Sequence, residues 1–273
     1  MSGIETHYSA SNLETRILAA LKAAGLDPDK RQDPTVLAAL DHFHTGGFRA
    51  SRLLRALARI QAYERILDIG AGLAGPARML ASLPGCDVEC IDLSADYCKA
   101  AALLNRLTGL EHRIGIHIGS ALDIPFDAKS FDVVWMQNVG MNIANKQQLY
   151  KEIYRVLKPG GRFAFQEMLA GKTECSRYPL PWASEPGENA LISAGQLDSL
   201  LLGCGFEKVH FADESDEPLP LPPTGTPEGQ EPAPLSLSVY VDDLALKADN
   251  ATYSLQQGEI RLYRGVFRVN PAT

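Results

Sequence analysis

The chain has 273 residues, 45% hydrophobic and 22% charged, and its 26 Lys and Arg against 33 Asp and Glu leave a formal net charge of -7. That balance, with no basic run, argues against a surface that tracks nucleic-acid phosphates, and no stretch reaches the roughly 18 apolar residues of a membrane span. Length favours one large α/β domain with additions, while five cysteines without C-x-x-C spacing and no apolar leader point to free thiols and a cytoplasmic protein.

Taken in order, Leu13, Ile17, Leu18 and Leu21 recur at helical spacing, and Gly25 fits the stop. Two more helices are expected at about 34–43 and 48–60, separated by the polar turn His44-Thr45-Gly46-Gly47. Residues 1–60 are thus read as an N-terminal helical cap and 61–273 as the main domain. The run Arg65-Ile66-Leu67-Asp68-Ile69 suits a strand buried on both faces, and it breaks into Gly70-Ala71-Gly72-Leu73-Ala74-Gly75-Pro76. A helix from about 74 to 82 follows. Strand, glycine turn and helix N-terminus form a cradle of free N–H groups sized for a nucleotide.

Two cofactors compete for such a cradle. Gly70, Gly72 and Gly75 satisfy G-x-G-x-x-G, the pattern of a nicotinamide or flavin dinucleotide site. Asp68, two residues earlier, disfavours a pyrophosphate but suits S-adenosylmethionine, which carries a sulfonium and an ammonium and no phosphate. Next, Val88 to Leu93 reads as a second strand whose Asp92 lies about 20 residues beyond the glycines, where an acid accepts ribose hydroxyls. Either cofactor has that ribose. Ser94 then opens a helix.

After a strand at about 113–118 come Gly119-Ser120-Ala121-Leu122-Asp123-Ile124-Pro125-Phe126, the strand Ser130-Phe131-Asp132-Val133-Val134-Trp135, and a helix closing on Leu157-Lys158-Pro159-Gly160-Gly161. Over about residues 60–212 this ordered set resembles the class I S-adenosylmethionine-dependent methyltransferases. The resemblance implies a doubly wound, mostly parallel seven-stranded sheet of Rossmann-like type. It implies a cofactor site at Asp68, Gly70, Ala71, Gly72, Asp92 and Leu93, with Ser120, Ala121 and Leu122 lining the adenine. Tyr154-x-x-x-Lys158 mimics the Tyr/Lys pair of short-chain dehydrogenases, but Pro159 and two glycines end the helix there.

The Thr-Gly-Gly before the third helix is similar to the small-molecule N-methyltransferases of phosphoethanolamine, sarcosine and dimethylglycine. That likeness places Thr45 and Gly46 on the methionine carboxylate, Trp135 and Gln137 on the methionine end, and Tyr8 as a lid residue. Asn142 stands where phosphoethanolamine enzymes carry a histidine. An amide cannot take a proton at neutral pH, so their acid/base dyad does not transfer. Asn138 and Asn142, with Tyr178 and Trp182 of a proline-rich insertion at 172–190, are candidate substrate contacts. His44 and Glu167 are the candidate catalytic groups, Glu167 as a base or as a partner for an ammonium.

The remaining chain predicts a helix at about 193–202 and a strand at about 206–211. Residues 213–235 then hold seven prolines and read as an extended loop. A helix at 242–258 and a strand at 260–268 close the sequence, the latter implied by the family to run antiparallel within the sheet. No metal-ligand spacing is apparent. The expected activity is methyl transfer to a small soluble metabolite, foremost an amine nitrogen, with O- or C-methylation of a natural product or a nicotinamide oxidoreductase as alternatives. No nucleic-acid or membrane partner is expected, and homo-oligomerisation is compatible with the sequence.

Overall fold

The computed structural model describes residues 12–83, 85–217 and 233–271. Seven strands, β1 (Arg65–Ile69), β2 (Asp87–Asp92), β3 (Ile114–Ile118), β4 (Phe131–Gln137), β5 (Leu157–Ala170), β6 (Phe206–Asp213) and β7 (Ile260–Val269), form one sheet in the order β3-β2-β1-β4-β5-β7-β6. The strands from β3 to β5 pair in parallel, and β7 lies antiparallel between β5 and β6.

Alternation along the central strands explains why helices cover both faces. Leu67, Ile69, Val134, Met136, Phe163 and Phe165 enter one core with residues of α6 (Lys146–Val156) and α7 (Ala194–Gly203). Ile66, Val133, Trp135 and Ala164 enter the other, against α3 (Gly47–Leu57), α4 (Gly75–Ser82) and α5 (Ala95–Thr108). Strands buried on both sides must read as nearly continuous apolar runs, which is what makes β1 and β4 recognisable.

The described part of the N-terminal segment packs on α5 and on the sheet core. α1 (Leu13–Ala23) buries Leu13, Ile17 and Leu21 beside Tyr97, Ala100 and Leu104 of α5, and Leu54 of α3 joins the sheet core. The expected helix at 34–43 is a 3-10 turn, Pro34–Leu37, running into the four-residue α2 (Ala38–Asp41). Among residues of the N-terminal region, it is the segment after α2 that reaches the mouth of the sheet. Tyr8 lies outside the described residues, as does most of the proline-rich stretch. β5 begins at Leu157, where the preceding helix was expected to close, because Leu157 already pairs with Phe131 before the Lys158-to-Gly161 turn. Lys158 there contacts Asp132 at 2.8 Å, a structural ion pair.

The end of α2 docks against α4 through a buried cluster. Arg78 donates to Asp41 Oδ2 at 2.7 Å and to Asn105 Oδ1 at 2.8 Å, with both ion-pair partners only 1% exposed. The approach depends on Gly75, where a Cβ would lie 2.3 Å from the Asp41 carbonyl oxygen and 2.6 Å from His42 Nδ1. Gly75→Ala must push that backbone aside. It is expected to lower unfolding free energy by about 1–3 kcal/mol, read as a lower midpoint in chemical denaturation with an unchanged slope.

Candidate functional site

The carboxyl ends of β1, β2 and β4 open into a cavity of about 450 Å³. The glycine turn forms its floor. Gly70 adopts φ +64° and Gly72 φ +54°, and a Cβ on Gly70 would come within 2.5 Å of Val139 Cγ2. Both positions therefore need glycine, one of them also for close packing. Gly70 and Ala71 donate backbone N–H bonds to the Ile91 carbonyl, which fixes the turn against the end of β2.

Asp92 is oriented by the backbone. One of its oxygens accepts from Gly72 N at 2.9 Å, the other from Ser94 N at 2.9 Å. Burial raises its carboxyl above the usual range, opposed by those hydrogen bonds. Asp68 is 2% exposed and lacks such compensation. Burial, and then the nearby Asp92 charge, hold its carboxyl well above the ordinary value, and its Oδ2 has no partner among the described residues.

Two other cavity-lining residues carry orphaned polar atoms, Gln137 Nε2 and Asn138 Oδ1. Gln137 is held by its other end, since Oε1 accepts from Trp135 Nε1 at 3.0 Å and Ser51 Oγ at 2.9 Å. Asn138 sits at φ 55° and its amide nitrogen reaches Thr45 Oγ1 at 3.4 Å. Buried polar groups left unpaired are costly, so two acceptors and one donor beside one cavity suit a ligand end bearing both an ammonium and a carboxylate.

The sequence-predicted cofactor residues Thr45, Asp68, Gly70, Ala71, Gly72, Asp92, Leu93, Ser120, Ala121, Leu122 and Gln137 all line this cavity. Gly46 does not: it is the left-handed N-cap of α3, at φ 80° and behind Thr45. Trp135 is fully buried, and its side chain supports Gln137 from below. Of the candidate substrate contacts, Asn138, Asn142 and Trp182 line the cavity. Tyr178 lies behind Trp182, where Asn189 donates to its hydroxyl at 3.0 Å and accepts from the Trp182 indole at 3.0 Å.

Glu167 requires correction as a catalytic group. It is 2% exposed, its carboxylate is turned away from the cavity, and it accepts N–H bonds from Val139 and Gly140 at 3.0 Å. Burial raises it to about 7, while those amides and Lys146 pull the other way. Lys146 in turn donates to the carbonyls of Gly140, Ile143 and Ala190. Glu167 thus anchors the loop after β4. His44 does line the cavity, but burial drives its imidazole down to about 3. Its Nε2 lies 3.1 Å from the Gly47 carbonyl and 3.0 Å from Ser51 Oγ, so it is a poor proton acceptor near neutrality.

Sequence reasoning missed the far wall. Leu244, Ala248, Ala251 and Leu255 of α8 (Leu244–Gln256) line the cavity at spacings of four, three and four, with Tyr97 and Tyr240 beside them. The helical stripe is visible in the sequence, but nothing local says what it faces.

With this geometry in place, the comparisons are specific. The methyltransferase domain family matches residues 67–165. That match runs from β1 through the glycine turn, Asp92 and the adenine-side loop to β5. Residues 67–165 match a methyltransferase domain. A sarcosine/dimethylglycine N-methyltransferase of Aphanothece halophytica is 35% identical to the chain over 168 residues, covering 61% of the chain and 60% of that protein. A sterol 24-C-methyltransferase of Pneumocystis carinii is 26% identical over 171 residues, covering 60% of the chain and 45% of that protein. The chain therefore spans less than two thirds of these relatives. Phosphoethanolamine N-methyltransferase 2 of Haemonchus contortus, solved with S-adenosyl-L-methionine, shares the fold of the methyltransferase domain and its additions. Its TM-score is 0.68 at 20% identity, covering 97% of this chain and 61% of that one.

Two measurements check these assignments. Glu167→Gln places an NH2 group among amide donors and leaves Lys146 without its countercharge. Denaturant unfolding should show a loss of about 2–4 kcal/mol, whereas a catalytic acid or base would leave stability intact and abolish turnover. For His44, the folded value of about 3 lies below the ordinary 6.5, so the unfolded chain binds more protons between them and stability falls as pH drops through that window. Between pH 7 and 5 this group accounts for about 2 kcal/mol, and His44→Asn should flatten the pH dependence of the unfolding midpoint accordingly.

Proposed function

We propose that the chain transfers a methyl group from S-adenosylmethionine to a small-molecule acceptor, with an amine nitrogen as the reacting atom. The observation that carries this reading is the unpaired Asp68 Oδ2 at the end of β1, buried beside a second acid and the glycine turn. A dinucleotide would bring a pyrophosphate to that turn, and two acids would repel it. An ammonium answers Asp68 and Asn138 Oδ1, while the orphaned Gln137 Nε2 has a donor for a carboxylate. Asp92, already aligned by two backbone amides, has lone pairs left for ribose hydroxyls. The relatives that methylate sarcosine and dimethylglycine support nitrogen as the acceptor atom.

When bound, S-adenosylmethionine supplies a methyl carbon already activated by its sulfonium. What the protein adds is placement. Asp68, Asp92 and Gln137 hold the donor end, and Trp182, Met141 and Met168 wall the space above it. Holding donor and acceptor in line at about 3–3.5 Å accounts for most of the acceleration such a displacement needs. An amine lone pair requires no base during the transfer, which fits a cavity where Glu167 is turned away and His44 is a weak base.

Asp68→Asn gives a two-sided test. Removing a buried carboxyl that lies beside Asp92 should raise the melting temperature of the free protein, while affinity for S-adenosylmethionine or S-adenosylhomocysteine falls at least about tenfold by calorimetry. Both ligands, and not NAD(P), should raise the melting temperature of the unaltered protein. Stabilisation by NAD(P) alone would overturn the reading.

A further inference from the structure

We propose that the acceptor is a lipophilic amine without an acidic group, a class unlike the carboxylate- and phosphate-bearing amines named in the relatives; the inference rests on the methyl-transfer reading above. Three observations carry it. First, no cationic side chain lines the cavity among the described residues. Its acids are Asp41, already paired with Arg78, and Asp68 and Asp92 at the cofactor end. Residues 1–11, 84, 218–232 and 272–273, outside the description, contain no Lys or Arg in the sequence.

Second, the buried cations near the site are committed elsewhere. Arg78 is held by Asp41, Asn105 and the Leu73 carbonyl. Lys146 is enclosed by three carbonyls, and Arg264 lies between Gln166 and Glu217 at 3.3 Å from each. With the Gln137 amide taken by the cofactor's own carboxylate, a second carboxylate or a phosphate on the acceptor would lose its hydration and meet no countercharge.

Third, the wall opposite the acids is apolar. Met141, Met168, Trp182 and Ala251 belong to one hydrophobic cluster with Ile260 and Leu262 of β7, and Leu255 packs against it. Such a wall suits a hydrocarbon body and favours the neutral amine over its ammonium, the form whose lone pair can attack. The nitrogen lone pair forms the N–CH3 bond as the C–S bond breaks, and sulfur keeps the electron pair. The positive charge passes from sulfur to nitrogen; a tertiary amine releases no proton, and a secondary amine gives its proton to water afterwards. Trp182 and Tyr240 line the same cavity and place aromatic rings beside the cation so formed.

The test uses the unaltered protein saturated with S-adenosylhomocysteine, whose binding is measured first by calorimetry. Failure of that step would remove the methyl-transfer reading and this inference with it. With it in place, N,N-dimethylhexylamine and 6-(dimethylamino)hexanoate are titrated at pH 8; they share the nitrogen and chain and differ in the terminal carboxylate. The amine should bind at least tenfold more tightly. Equal or tighter binding of the carboxylate, or no binding of the amine, would overturn the acceptor class while leaving the cofactor assignment standing.

Discussion

A buried carboxyl with one oxygen unpaired among the described residues, and with the charge of a second buried acid acting on it, is the constraint around which this molecule is organised. Asp68 lies one residue before the end of β1 among the buried apolar side chains of Ile66, Leu67 and Ile69, and no cation pairs with it among the described residues. The arrangement is tolerable because the chain keeps its other acids compensated. Asp41 has Arg78, Asp92 has two backbone amides, and Glu167 has two amides and a nearby lysine. Asp68 Oδ2 has no such partner among the described residues, and neither have Gln137 Nε2 and Asn138 Oδ1 beside the same cavity. Buried polar groups without partners carry a cost, and three of them belong to residues lining one cavity.

The second organising element is the end of β5. Gln166, wholly buried, donates to the Thr45 carbonyl at 2.9 Å, and its own carbonyl accepts from Asn138 N at 2.8 Å. Glu167, next in the strand, fixes Val139 and Gly140. Two adjacent residues thus tie the turn before α3 and the loop after β4 to one strand. Because successive side chains of a strand point to opposite sides, one strand end can hold two separate loops.

The parts of the site that were legible in the sequence are those set by local chemistry. Gly70 and Gly72 need positive φ, Asp68 and Asp92 close short apolar runs, and Ser120 to Leu122 follow a strand end at fixed spacing; each can be read without knowing the fold. The residues misread are those whose surroundings come from distant segments. Glu167 looked available because strand-end acids face the site in many sheets, but amides nearly thirty positions away turn it inward. Tyr178 and Trp182 looked equivalent by composition, and only the Asn189 side chain between them separates the wall from its backing. α8 was visible as a helix and its role was not, since a stripe of Leu and Ala states that something is covered and not what. Helix boundaries in the first 60 residues differed for a related reason: a short apolar segment can be a 3-10 turn or an α-helix, and packing against α4 decides between them.

The hydrogen bonds beneath His44 have a direction that begins in the core. The indole of Trp135 can only donate, so the Gln137 oxygen must face it and can take a second bond only as an acceptor. Ser51 therefore spends its hydrogen on Gln137, which leaves its oxygen to receive from His44 Nε2. The neutral ring then carries its proton on Nε2, as the Gly47 carbonyl on the same nitrogen also requires, and Nδ1 has no partner among the described residues. A core indole with no acidic or basic chemistry of its own thus agrees, through three hydrogen bonds, with a backbone carbonyl on where the proton of an imidazole sits, and so on which ring nitrogen keeps its lone pair.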